Sequence, residues 1–447
     1  MSKFTRRTFL RASGTLLTGS LLVACAQPGV APQGGGSGDQ AAAPAAEKMS
    51  VLVWDAFGEA SAGIDQLVAT FMEQNPDIEV KREDQSTGNM RDIIRTALDA
   101  DAGPDILYYD TGPGFAGVLA RAGLLLPLDD AYDQNGWRER ILPIAQERTT
   151  FDGKTYGIGN AIEAVGVFYN KRLFEEYGVS EPATHDDLLA LCETLKAADL
   201  APIAFGNQGK WAAGHNFSVL AGNVAGKAKL AAAISGEVPW NAPDFVRAIQ
   251  IAMVDLLPNY NSDVNAITYD DANLLFYSGQ AVMHMTGTWM IGGYTNPENM
   301  ADPVGFFFYP PVDNKPIAPP AGLGSGYFVS QKVKHPEAAL KFLDFLFSEA
   351  AAPVWLEQMA IIPPLQLDGS KYNISELLAF TLQQLQQNAD TMGFNIDVLT
   401  PDNFNTMMFD GFQEVLNGTK SAEQQADDLE AAMQEAKAAG KVMDITE

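Results

Sequence analysis

The chain has 447 residues, 47% of them hydrophobic, and 56 Asp and Glu against 29 Lys and Arg, for a net charge of −27. That length accommodates two domains with cores of their own. A surface this acidic repels phosphate backbones and excludes nucleic acid as a partner.

Residues 5–11 read TRRTFLR, and an apolar stretch follows from Ala12 to Ala24. It is too short to span a bilayer, which takes roughly 20 apolar residues. A basic front, a short apolar middle and small residues before a cut site describe an export signal. Arg6-Arg7 followed by Phe9 and Leu10 resembles the bacterial twin-arginine signal. Leu22-Val23-Ala24-Cys25 resembles the lipobox, in which Cys25 takes the lipid and becomes the new N-terminus. Removing residues 1–24 removes Lys3, Arg6, Arg7 and Arg11 and no acid, leaving −31. Residues 26–48 are Gly, Pro, Ala, Ser and Gln for the most part, a flexible tether with little to bury. With Cys25 lipidated, Cys192 is left alone and no disulfide can form within the chain. Cys192 lies in DDLLALCETLKAA, a helical pattern, and reads as a buried structural thiol.

The body starts with MSVLVWDA (49–56), an apolar run that reads as a buried strand. Residues 61–76 carry Ile64, Leu67, Val68, Phe71 and Met72 at helical spacing, closed by Pro76. DIEVKRE (77–83) alternates as a strand, residues 88–103 form a second helix, and DILYYD (105–110) a third strand. This order predicts a parallel sheet with helices packed on it, which places a ligand beyond the carboxyl ends of the strands, after Trp54 and Tyr109. Strand and loop follow over Tyr156–Asn170, then a mostly helical stretch from Lys171 to about Leu257. AVMHMTG (281–287), VGFFFYPP (304–311) and GYFVSQ (326–331) read as strands, 335–359 as one or two helices, and the last 80 residues as polar-faced helices.

Local matches to catalytic motifs fail. GNVAGKAK (222–229) has three residues between its glycines where a phosphate loop has four, and an Ala where that loop has a hydroxyl. GLGSGY (322–327) lacks the dinucleotide pattern, and its glycines fit a tight turn or a close approach. His185, His215, His284 and His335 have no metal-like spacing, so no metal and no cofactor is expected. Asp129-Asp130, Asp186-Asp187 and Asp270-Asp271 sit at helix starts, where capping explains them. Trp54, Tyr109, Trp211, Trp240 and Trp289 fall near strand ends or in loops, close to Asp55, Asp110, Glu163 and Asn207. Core packing accounts for any one of them; together they fit a pocket with apolar walls and a few polar groups.

The segment GNAIEAVGVFYNKRLFEEYGVSEPATHDDLLALCETLKAADLAPIAFG (159–206) resembles the extracellular solute-binding proteins of bacterial ABC importers, closest to their carbohydrate-binding, maltose-binding-protein-like class. Residues 105–130, 276–290 and 326–351 agree in order and spacing, so the resemblance covers about 49–447. It implies an α/β, two-lobe periplasmic-binding-protein type II fold with a central ligand cleft and a multi-segment hinge. The lobes are expected at 49–160 with 323–368, and at 161–322 with 369–447. Crossings are expected near Asn160–Val167, Ala321–Tyr327 and Leu365–Lys371. Position by position, the resemblance implies ligand contacts at Asp55, Phe57, Glu59, Tyr109, Asp110, Glu163, Trp211, Trp289 and Asn405, with Asn405 standing where the class often has an aromatic. The implied protein is a monomer outside the cytoplasm, anchored to the outer face of the membrane through Cys25. It captures a carbohydrate and hands it to an importer permease. Peptide or polyamine capture by the same architecture, a surface glycosidase and a purely adhesive lipoprotein stay open as alternatives.

Overall fold

The alternating front of the body becomes β1 (Met49–Asp55), α1 (Ser61–Gln74), β2 (Ile78–Asp84), α2 (Thr87–Asp99) and β3 (Ile106–Asp110) in the computed structural model, which describes residues 48–443 and 445. The export signal, Cys25 and the tether through residue 47 lie outside the described residues. Ile64, Leu67, Val68 and Phe71 are the buried stripe of α1, the spacing of one helical face. Phe71 meets Phe342 edge-on, with ring centroids 5.1 Å apart. Ser86 caps α2, its Oγ accepting from the Asn89 amide at 3.2 Å, while Met90, Ile94 and Leu98 face inward.

After β3 the chain adds β4 (Gly157–Gly159), then β5 (Glu163–Asn170), α3 (His185–Lys196), β6 (Ala201–Ala204), α4 (Trp211–Ala225), α5 (Tyr269–Tyr277), β7 (Ala281–Gly287), β8 (Val304–Phe307) and β9 (Pro320–Gly322). It continues through β10 (Ser325–Val329), α6 (Pro336–Leu346), α7 (Glu376–Gln387), β11 (Gly393–Phe394), α8 (Asp402–Leu416) and α9 (Ala422–Ala438). Two larger sheets result. The first has the order β2-β1-β3-β10-β4; the second has β11-β9-β5-β7-β6, with β8 also on β5.

Both sheets are mixed, and the parallel arrangement expected for the first three strands is present within the first sheet. β1 runs parallel to β2 and β3, as the strand–helix alternation requires. β10 then enters antiparallel to β3 and β4, because it comes back from the second sheet rather than through a helical crossover. The chain changes sheets between β4 and β5, and again between β9 and β10. Beyond α6, Leu365 still bridges to Ile141 and the Gln366 amide donates to Arg140. α7, a few residues on, packs against β8 of the second sheet.

Several local readings are refined. The 335–359 stretch is α6 plus a π-helical turn at Val354–Gln358. VGFFFYPP is a strand only over Val304–Phe307, since Pro310 and Pro311 offer no amide to a ladder. Asp187 and Asp271 close capping boxes with Thr184 and Thr268, and Asp129-Asp130 open a helix at its first turn. Cys192 is buried in α3, where burial pushes its thiol up to about 12. Trp240 belongs to the core, its ring 4.8 Å from both Phe245 and Phe404. No helix among the described residues is long and apolar enough to cross a membrane.

Candidate functional site

The end of β3, the start of β5, the first turns of α4 and the loop after β11 bring charged and aromatic groups together. Arg91 comes from α2, with its side chain largely buried. It grips Asp110 with both arms, Nε to Oδ2 at 2.9 Å and Nη2 to Oδ1 at 2.8 Å. Its guanidinium lies 4.5 Å from the Phe115 ring centre and 5.4 Å from that of Phe409, which holds it in place. Arg91 Nη2 is also 3.6 Å from Asp397 Oδ2. Asp397 is only 1% exposed, yet neither of its side-chain oxygens completes a hydrogen bond. Burial pushes this carboxyl up to about 6; Arg91 opposes the rise and Asp110 adds to it.

His215 stands on the other side of Asp397, its Nε2 3.8 Å from Oδ2 and 3.1 Å from Asn395 Nδ2. Burial, and then the charge of Arg91, push His215 down to about 3, so its ring is neutral. With Asn395 donating to Nε2, the His215 proton sits on Nδ1, which has no partner.

Glu163 opens β5, opposite Gly322 of β9. Burial raises its carboxyl to about 8; the Gly324 amide opposes this, while the charges of Asp110 and Asp397 add to it. Gly324 lets Glu163 come close: a Cβ on it would stand 2.8 Å from Glu163 Oε2. Tyr108, on the first sheet, has its hydroxyl raised by burial, and the charge of nearby Glu163 adds to the rise.

The aromatic wall is built on α4 and on the turn after β7. Trp211 and His215 are four residues apart on α4 and share a face, with ring centroids 5.0 Å apart. Trp289 closes on both, 5.5 Å from His215 and 6.3 Å from Trp211. Its Nε1 donates to the Tyr269 hydroxyl at 2.9 Å, and Tyr269 in turn packs on Trp211 at 4.6 Å. Asn207 fixes the start of α4 by accepting from the Ala213 amide at 3.1 Å. Trp289 folds back over Gly287 so closely that a Cβ there would lie 1.8 Å from its ring.

The structure thus brings Asp110, Glu163, Trp211 and Trp289 to one region. The other expected contacts sit elsewhere or are engaged internally. Asp55 is fully buried, and Arg82 takes both its oxygens, at 2.6 and 2.7 Å. Phe57 stacks on Tyr108 at 4.6 Å and approaches Trp355 at 5.9 Å, within the first core. Glu59 lies in the short turn Gly58–Ala60. Tyr109 is buried edge-on against Phe115 at 6.2 Å; the strand's period of two sends its neighbour Tyr108 to the other face. Asn405 accepts from Thr400 Oγ1 at 2.6 Å and donates to the Asp397 carbonyl at 2.7 Å, so it braces the loop that carries Asp397. Sequence reading missed Arg91, His215, Asn395 and Asp397. Only His215 had a local signal, its spacing of four from Trp211.

The profile of the bacterial extracellular solute-binding proteins matches residues 55–353. The chain belongs to that family. An ABC transporter extracellular-binding protein of Pyrococcus horikoshii is 28% identical over 78% of this chain and 79% of its own length. A chitin oligosaccharide binding protein superposes with a TM-score of 0.79 at 22% identity, covering 88% of this chain and 99% of that one. The maltose/maltodextrin-binding domain from Bdellovibrio bacteriovorus bound to maltotriose gives 0.69 at 20% identity, covering 87% and 100%. The fold is therefore the type II periplasmic-binding-protein fold. A solute-binding protein of this family is an extracytoplasmic transport receptor and not an enzyme. Its site has to hold a solute by hydrogen bonds and ring contacts and release it unchanged, which suits the carboxylates, guanidinium and indoles gathered here.

Proposed function

We propose that this solute-binding protein captures a carbohydrate between its two lobes and delivers it to the permease of an ABC importer. The observation that carries this reading is the pairing of an indole wall, Trp211 and Trp289, with a buried carboxylate, Asp397, that lacks a full set of partners. Flat aromatic faces stack on sugar rings, and carboxylates accept from sugar hydroxyls. The lobes are taken as 49–160 with 323–368, and 161–322 with 369–447. Asp110 and Arg91 then lie in the first lobe, and Glu163, His215, Trp289 and Asp397 in the second. A solute touching both sets favours the closed arrangement, the form a permease would read. Two known likenesses, to a chitin oligosaccharide binding protein and to a domain bound to maltotriose, support the choice of sugar.

The test is thermal unfolding of the full chain against mono- and oligosaccharides, with spermidine and short peptides alongside. A ligand at about 100 times its Kd stabilises the folded state by about 2.7 kcal/mol. A rise in midpoint with a sugar, recovered chemically unchanged, is the expected result; a rise with peptides alone overturns the reading. The anchor at Cys25 belongs to the same proposal. Cys25→Ser is expected to move the protein from the membrane fraction to the soluble one, and an unchanged distribution counts against lipidation.

A further inference from the structure

The charges at the site do not balance. Asp110 and Asp397 face one guanidinium, and Arg91 spends both its bidentate bonds on Asp110; Glu163 beside them is protonated at neutral pH. His215 brings no compensating charge, because its ring is neutral. Asp397 is the decisive group. It is buried, its nearest cation is 3.6 Å away, and neither oxygen completes a hydrogen bond, with only the backbone amides of Asp397 and Val398 turned toward it. Asn395 Oδ1 is a third buried acceptor without a partner. Asn395 Nδ2 and Asp397 Oδ2 both approach His215 Nε2, at 3.1 and 3.8 Å, so the two residues stand side by side against that ring. Leaving a carboxylate buried and unpaired is costly unless a bound group completes it.

A sugar hydroxyl donates one hydrogen and carries no charge. An ammonium donates three and carries one positive charge, which suits the buried Asp397 carboxylate and the unpartnered amide oxygen of Asn395 beside it. A metal ion is a poor alternative, since among the described residues no three His, Cys, Asp or Glu side chains converge in a metal-holding arrangement. The same His215 lies 5.0 Å from Trp211 and 5.5 Å from Trp289, so a ring attached to that ammonium would meet the indoles. We propose that the solute is a sugar bearing a free primary amine, its ammonium seated on Asp397 and Asn395 and its ring against Trp211 and Trp289. This rests on the carbohydrate reading above and narrows it.

Calorimetric titration of the full chain at neutral pH tests the proposal. The probes are glucosamine, galactosamine and the fully deacetylated chitin dimer, each beside its N-acetylated counterpart, with glucose, galactose and spermidine. A free-amine sugar is expected to bind at least tenfold tighter than its N-acetylated and neutral counterparts. Asp397→Asn is expected to erase that preference, and the wild-type series decides the matter even if the variant does not fold. N-acetylated or neutral sugars binding as tightly as the amines would overturn the inference and leave the carbohydrate reading standing. Binding of spermidine with no sugar bound would overturn both. No binding by any free-amine sugar would overturn the inference.

Discussion

Glu163 shows how a single side chain depends on its surroundings. It sits where β5 begins, the Gly324 backbone pressed against it, and burial holds its carboxyl near 8. Glu163→Ala removes hydrogen bonds to a solute and leaves its hydroxyls unpaired, and is expected to weaken sugar binding by about 1–3 kcal/mol with the fold intact; titration with the best-bound sugar checks it, and an unchanged affinity removes Glu163 from the site. The sequence offered Glu163, Asp110, Trp211 and Trp289 as candidates because carboxylates and indoles at strand ends or in loops stand out there, and the fold brings these four together. Arg91 and Asp397 were not among the candidates. Arg91 reads as an ordinary charged position on α2, and nothing near Asp397 hints that residues 91 and 215 will flank it. Such contacts are made by the tertiary fold alone. Asp55 misled for the opposite reason: its place at a strand end is right for a ligand contact, but Arg82 on the neighbouring strand claims both oxygens.

At the scale of elements, the first β-α-β-α-β run was legible in order and type, with the second helix ending at Asp99 rather than at 103, because each helix carries a clean apolar stripe and each strand is short and bounded. Strand direction was less so, since β10 is set by a return from the other sheet and not by local pattern. The turn after β3 is another element fixed from afar. Gly112 has φ of +89°, and a Cβ on it would stand 2.0 Å from the Val398 carbonyl oxygen. The turn thus seats directly on the loop that presents Asp397. Gly112→Ala combines a disfavoured backbone region with a backbone clash and is expected to cost about 3 kcal/mol of stability. Urea unfolding checks this, and sugar affinity should fall with it, because the Asp397 loop must shift.

At the scale of the whole molecule, the titrating groups predict how stability depends on pH. Burial raises Glu163 from 4.5 to about 8, so the folded state holds this proton more tightly than the unfolded chain. Its contribution is fully present below 4.5 and is lost as pH rises through about 8. Asp397 acts likewise up to about 6. His215 and His284, both lowered by burial from 6.5 to about 3, act in the opposite sense, and their contribution fades as pH falls below 6.5. Between pH 6.5 and 8 Glu163 dominates among these four groups. The unfolding midpoint of the ligand-free protein is expected to fall across that window, and in Glu163→Gln the fall is expected to be smaller. Equal slopes in the two proteins would show that Glu163 is ionised throughout.

The insertion of β10 between β3 and β4 also governs the order of events at the ribosome. Tyr327 pairs with Tyr108 and with Ile158, so β4 has no place in the first sheet until Val329 has been synthesised. Until then the newly made chain carries β3, with its run ILYY, as an open edge able to recruit another strand. Chains of this kind often complete their N-terminal half while the rest is still being made. Here the first sheet must wait for the second to be translated, and the long-range pairing that closes it is of the slow kind. A translation stall before residue 325 therefore leaves a sticky intermediate and not a small finished domain.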